Sequence, residues 1–201
     1  AVPATARTIL FVGNSFTYGQ GSAVKAWHGD RVADLNHEGN GGVPALFEAF
    51  ARETGQEWQV SLETSPGKDL AWHLDNRLAL IARRWDVVVL DAARPGDPTR
   101  HIAAAAKLVA ALRQANPAVR IWLVSTWTRA DQTYLPQGHW FGQPVARMAE
   151  DIAAANRQAL ATISGLAGAI PVGAAWNRAM ATGVADPDPY DGREFGTVDR
   201  L

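Results

Sequence analysis

A serine stands where an apolar run gives way to a turn. Residues 8–12 are apolar or β-branched, and Gly13-Asn14-Ser15-Phe16-Thr17-Tyr18-Gly19 follows. A glycine lets the chain leave a strand sharply. A serine just beyond it sits where a helix begins, beside backbone N–H groups that lack helical partners. Those donors and the positive end of the helix dipole stabilise an alkoxide or oxyanion. The chemistry on offer is nucleophilic attack by Ser15. The competing reading is structural: Asn14 or Ser15 is an ordinary helix cap.

A serine nucleophile needs a base, and histidine is the usual one. The chain has five: His28, His37, His73, His101 and His139. His28 and His37 lie in a long polar connection and are expected at the surface. His73 falls on the apolar stripe of a helix and is expected to pack. His101 opens a helix, as a cap or a solvent contact. His139 lies on a loop after the fourth apolar run and is the best internal candidate. Trp127 and Trp140 flank the same loop, either lining a pocket or pinning the loop. Asp34-Leu35-Asn36-His37-Glu38-Gly39 matches the start of a calcium loop. Position twelve, where that pattern needs Glu, is Ala45. The alternative is a turn-rich solvated loop, and no metal or cofactor is assigned. The acidic stretch from Asp186 to Asp191 reads as a surface turn.

The elements that must position these residues alternate. Apolar runs at 8–12, 58–62, 85–90, 119–125 and 168–172 read as strands, the third and fourth as strands buried on both faces. Helical spacing separates them at 43–53, 69–84, 102–114 and 144–163. Leu70, His73, Leu74, Leu78 and Ile81 form one expected inward stripe; Val145, Met148, Ile152 and Leu160 form another. This alternation implies right-handed crossovers and a mostly parallel sheet of about five strands, with helices on both faces. Sites in such three-layer α/β domains form at the carboxyl ends of strands.

With those residues in order, the chain resembles the SGNH, or GDSL-like, hydrolases. Gly13-Asn14-Ser15-Phe16-Thr17 looks like their first block. Ser65-Pro66-Gly67-Lys68-Asp69-Leu70 lies where the second-block glycine is found. Trp85-Asp86-Val87-Val88-Val89-Leu90 looks like the strand leading to the third block. Ile170-Pro171-Val172-Gly173-Ala174-Ala175-Trp176 resembles a segment after the fifth strand in a bacterial subgroup. The resemblance implies a flavodoxin-like fold and esterase activity through an acyl-enzyme on Ser15. It implies an oxyanion hole from the Ser15 and Gly67 N–H groups. Asn14, Trp127, His139 and Trp140 are the expected pocket residues.

Two departures stand out. The third block normally supplies a polar oxyanion donor, whereas Leu90 here runs into Asp91, whose carboxylate would repel an oxyanion. Missing residues between Leu90 and Asp91 are one expectation. The family also carries a D-x-x-H block near its C-terminus, and no histidine follows His139. The expectation is a single domain over 1–201 that lacks this block and the last helix.

Composition bounds the rest. The 201 residues are 47% hydrophobic and 19% charged, with net charge −1 and no cysteine. This excludes disorder, thiolate chemistry and a basic nucleic-acid footprint. No apolar run reaches the length of a membrane-spanning helix. Small uncharged residues at positions 1–6 read as the remnant of a cleaved export signal. The leading expectation is hydrolysis of a small acyl ester, including deacetylation of a carbohydrate. The alternatives are a non-catalytic binding domain of the same fold and, more weakly, a phosphate-binding flavodoxin-like protein.

Overall fold

A computed structural model describes residues 6–91 and 97–185. Positions 92–96 and the C-terminal stretch containing Asp186–Asp191 lie outside the described residues. Six parallel strands form one sheet in the order β2-β3-β1-β4-β5-β6. They are β1 (Arg7–Gly13), β2 (Ala33–Asp34), β3 (Trp58–Thr64), β4 (Val87–Asp91), β5 (Arg120–Val124) and β6 (Leu166–Ile170). Setting aside the two-residue β2, the five long strands follow the 2-1-3-4-5 flavodoxin-like order, which places the topological switch point between β1 and β4.

Helices cover both faces. They are α1 (Ser15–Tyr18), α2 (Gly42–Glu53), α3 (Leu70–Ile81), α4 (Pro98–Ala115), α5 (Asp131–Tyr134), α6 (Arg147–Thr162) and α7 (Val172–Ala181). Leu10, Val12, Val88, Leu90, Ile121 and Leu123 pack against α3, α4 and α6 on one face. Ile9, Phe11, Val60, Leu62 and Val89 meet α2 and the start of α7 on the other. The alternation within β1 and β4 is the period-two geometry of a strand buried on both sides. Asp69 and Asp97 cap α3 and α4, accepting from the N–H groups of Trp72 and Arg100 at 2.9 Å each. No helix among the described residues is long and apolar enough to cross a membrane.

The structure corrects several expectations. β4 runs through Leu90 into Asp91, which pairs with Gly13, so Asp91 belongs to the strand and not to the loop after it. Leu78 and Leu160 are 37% and 36% exposed. Leu78 is eight residues past Leu70, roughly 80° around the helix, and Leu160 stands at the same angle from Ile152, so each reaches the rim of its stripe. His101 is buried: its Nε2 lies 2.9 Å from Asn156 Oδ1, and burial holds its imidazole below the usual range. His28 is half-buried rather than exposed, in left-handed backbone (φ 49°).

Candidate functional site

The carboxyl ends of β3, β1 and β4 finish level, because Gly13 pairs with both Thr64 and Asp91. The chain leaves β1 at Gly13 and enters α1 at once. A Cβ on Gly13 would lie 1.8 Å from Thr17 Oγ1 and 2.8 Å from the Asp91 carbonyl oxygen, so only glycine admits α1 this close. Asn14 caps α1: its Oδ1 accepts from Phe16 N–H at 3.1 Å. Its carbonyl accepts from the N–H groups of Thr17 and Tyr18 at 3.0 and 3.2 Å. Ser15 is thereby fixed as the first helical residue, half-buried at the end of β1.

The turn after β3 stands beside it. Gly67 has φ +66°, a backbone state that favours glycine, and a Cβ there would meet nothing within 4 Å. Asn14 Nδ2 donates to the Lys68 carbonyl at 3.2 Å, and Ser65 N–H donates to the Gly13 carbonyl at 3.1 Å. Two bonds thus tie the turn bearing Ser15 to the turn bearing Gly67.

Ser15, Pro66 and Gly67 line a cleft of about 390 Å³. The end of α1 adds Tyr18 and the long connection after it Gln20 and Lys25; the loop after β2 adds Glu38 and Asn40; the loop after β5 adds Arg129. Most of these side chains are polar, and Arg129 is paired with Asp131 at 2.6 Å. The cleft therefore suits a hydrogen-bonding ligand better than a long apolar chain.

At the switch point Asp91 closes the crevice between β1 and β4. Its Oδ2 accepts from Thr17 Oγ1 at 2.9 Å. Burial raises its pKa from 3.8 to about 6, and the Thr17 bond only partly offsets this. Its carboxyl is therefore engaged with α1.

The other expected pocket residues lie off the cleft walls. Asn14 is buried in its capping role. Trp127 packs edge-on against Phe16, ring centroids 4.7 Å apart, and tilts over Trp176 at 6.2 Å. Trp140 is buried with Met148, Ile152 and Phe16, its Nε1 donating to Asp151 at 2.8 Å. These tryptophans build the packing under the loop. His139 is exposed, its ring edge-on to Trp140, and does not reach the cleft wall. No histidine is among the described residues lining the cleft. His73 is fully buried, with Nδ1 2.5 Å from Glu63 Oε2.

The loop after β2 is not a calcium loop in form. Asp34 Oδ1 accepts from Asn36 N–H at 3.0 Å; Oδ2 accepts from Glu38 and Asn40 N–H at 3.0 and 3.1 Å. The first is an Asx turn and the other two reach further along the loop, so the carboxylate is spent on the backbone. Metal-ligand spacing in the sequence gives no sign of the two residues that the loop delivers to the cleft, Glu38 and Asn40. The signal available was an Asp followed by a short polar loop, which that side chain organises.

By sequence, no family model matches the chain, and no curated protein matches it. Solved structures do match in fold. One is TesA, with TM-score 0.59 and 17% identity over 94% of this chain and 87% of that one. A candidate GDSL-like lipase from Parabacteroides merdae has TM-score 0.56 and 15% identity, covering 95% and 87%. A DUF4886 family protein from Bacteroides uniformis has TM-score 0.65 and 16% identity, covering 95% and 75%. At these identities the likeness is one of fold, and it is the three-layer fold that the sequence resemblance implied.

Proposed function

We propose that this chain is a serine ester hydrolase of the SGNH type, acting on a small acyl ester of a polar alcohol such as a carbohydrate. Ser15 Oγ attacks the ester carbonyl and the N–H groups of Ser15 and Gly67 receive the developing oxyanion. A histidine base, which none of the described cleft-lining residues supplies, takes the Ser15 hydroxyl proton and passes it to the departing alcohol, and water then hydrolyses the acyl-enzyme. The observation that carries the reading is the position of Ser15. It is the first residue of α1 at the carboxyl end of β1, on a cleft wall shared with a left-handed glycine turn. The fold shared with a candidate lipase supports it.

The experiment is turnover of p-nitrophenyl acetate by the full-length protein and by Ser15→Ala. The proposal expects hydrolysis that is lost in the variant. Hydrolysis that persists in a folded Ser15→Ala protein overturns it. A folded wild-type protein that hydrolyses no ester leaves the other reading, a binding domain of the same fold.

A further inference from the structure

The cleft contains two side chains of opposite charge that the reaction at Ser15 does not use. Lys25 comes from the first long connection and Glu38 from the loop after β2. Both side chains are exposed, but the segments that carry them are fixed. Gly41 N–H donates to the Lys25 carbonyl at 2.6 Å, and Gly42 N–H donates to the Val24 carbonyl at 2.9 Å. The two segments are therefore joined backbone to backbone. Asn36, at the head of the second segment, donates from Nδ2 to the Thr64 carbonyl at 2.7 Å and to the buried Glu63 at 3.3 Å. The loop is anchored at both ends, and Asp34 holds its middle through the three N–H groups described above.

Glu38 is itself oriented. Its Oε2 accepts from Asn40 Nδ2 at 3.0 Å, and Asn40 is only 3% exposed. Oε1 retains its lone pairs for a ligand. Lys25 Nζ donates to Gln20 Oε1 at 3.1 Å and keeps further donors. The cleft thus presents one charged acceptor and one charged donor. Their charges cancel, and Arg129 is balanced by Asp131. A net cation or anion gains little from such a wall. A neutral molecule with several hydroxyl groups gains a charge-assisted hydrogen bond at each end.

We propose that Glu38 and Lys25 select the alcohol half of the ester by reading the hydroxyl groups of a neutral polyol, with Asp34 as the positioning residue that holds Glu38. This rests on the esterase reading of Ser15.

The test compares kcat/KM for a mono-O-acetylated glucose with kcat/KM for ethyl acetate, using the full-length protein. The wild type favours the sugar ester. Glu38→Gln and Lys25→Met each lower that ratio about tenfold, the scale of one charge-assisted hydrogen bond, with the change in KM for the sugar ester. Asp34→Ala lowers the ratio in the same way, and Asp34→Asn lies between it and the wild type. Circular dichroism confirms that each variant is folded. A wild-type ratio near one overturns the proposal, as does a Glu38→Gln ratio equal to the wild type. Turnover of both esters without preference removes this inference and leaves the esterase reading intact. Turnover of neither removes both.

Discussion

Asn14 Nδ2 donates to the Lys68 carbonyl at 3.2 Å, joining the turn after β1 to the turn after β3. The same amide accepts from Phe16 N–H through Oδ1 at 3.1 Å. One side chain thus sets the start of α1 and its distance from the Gly67 turn. Catalysis by a serine and an oxyanion hole depends on that distance, because donors must stand about 3 Å from where charge develops.

Replacing Asn14 separates these two roles. Asn14→Ala loses both the cap and the bridge and lowers stability by about 1 kcal/mol or more. Asn14→Asp keeps the capping acceptor but loses the donor to Lys68. It is expected to lose roughly 1 kcal/mol or more in urea unfolding, because the buried carboxylate then faces the Lys68 carbonyl, while kcat falls about tenfold or more. An Asp variant with wild-type kcat shows that the bridge does not position the site.

Gly67→Ala tests the second turn. At φ +66° an alanine costs roughly 1–2 kcal/mol in backbone strain. The space around the new methyl is open, so the protein still folds. The expected result is a modestly lower Tm and a larger loss in kcat. Thermal unfolding and steady-state kinetics on one preparation separate the two.

Asp91 makes stability depend on pH. Its carboxyl is raised from 3.8 to about 6 in the folded chain, chiefly by burial. The folded state therefore binds this proton more tightly than the unfolded state. The contribution is fully present below about pH 4 and is lost as pH rises through about 6. Its upper bound is roughly 3 kcal/mol. Asp91→Asn keeps an acceptor for Thr17 and carries no charge, so it flattens this slope and is the more stable form at pH 7. Urea unfolding across pH 4 to 8 checks both statements.

Glu63 and His73 form a second buried polar pair, 2.5 Å apart and both fully enclosed between β3 and α3. Glu63→Ala removes this contact together with the Asn36 bond and the Arg77 ion pair at 3.7 Å, and is expected to cost roughly 3 kcal/mol or more in urea unfolding. Glu63→Gln retains an acceptor and costs less. A Glu63→Ala protein as stable as wild type removes the pair from the account of the fold.

The sheet and most of its helices were legible because their signals are local. The runs Val87-Val88-Val89-Leu90 and Ile121-Trp122-Leu123-Val124 are continuous apolar strands, and the spacing from Asp69 marks α3, whereas α4 starts at Pro98, four residues before the start expected at Ile102. β2 was not legible, since two residues at a sheet edge leave no periodic pattern. Ser15 and Gly67 stand out from glycine turns that follow strands. The remaining cleft wall was hidden because Tyr18, Lys25, Glu38 and Asn40 come together only through backbone bonds and the Asp34 carboxylate. Such long-range polar contacts carry no sequence period. His101 was misplaced for the same reason: its partner Asn156 is 55 residues away.

The central claim is that Ser15 is an activated nucleophile. A fluorophosphonate reacts with such a serine to form a stable adduct, and intact and peptide mass spectrometry locates it. The account predicts one adduct per chain of the full-length protein, on the peptide containing Ser15, and none in Ser15→Ala. A folded protein that is unlabelled at Ser15, or labelled equally in the variant, contradicts it.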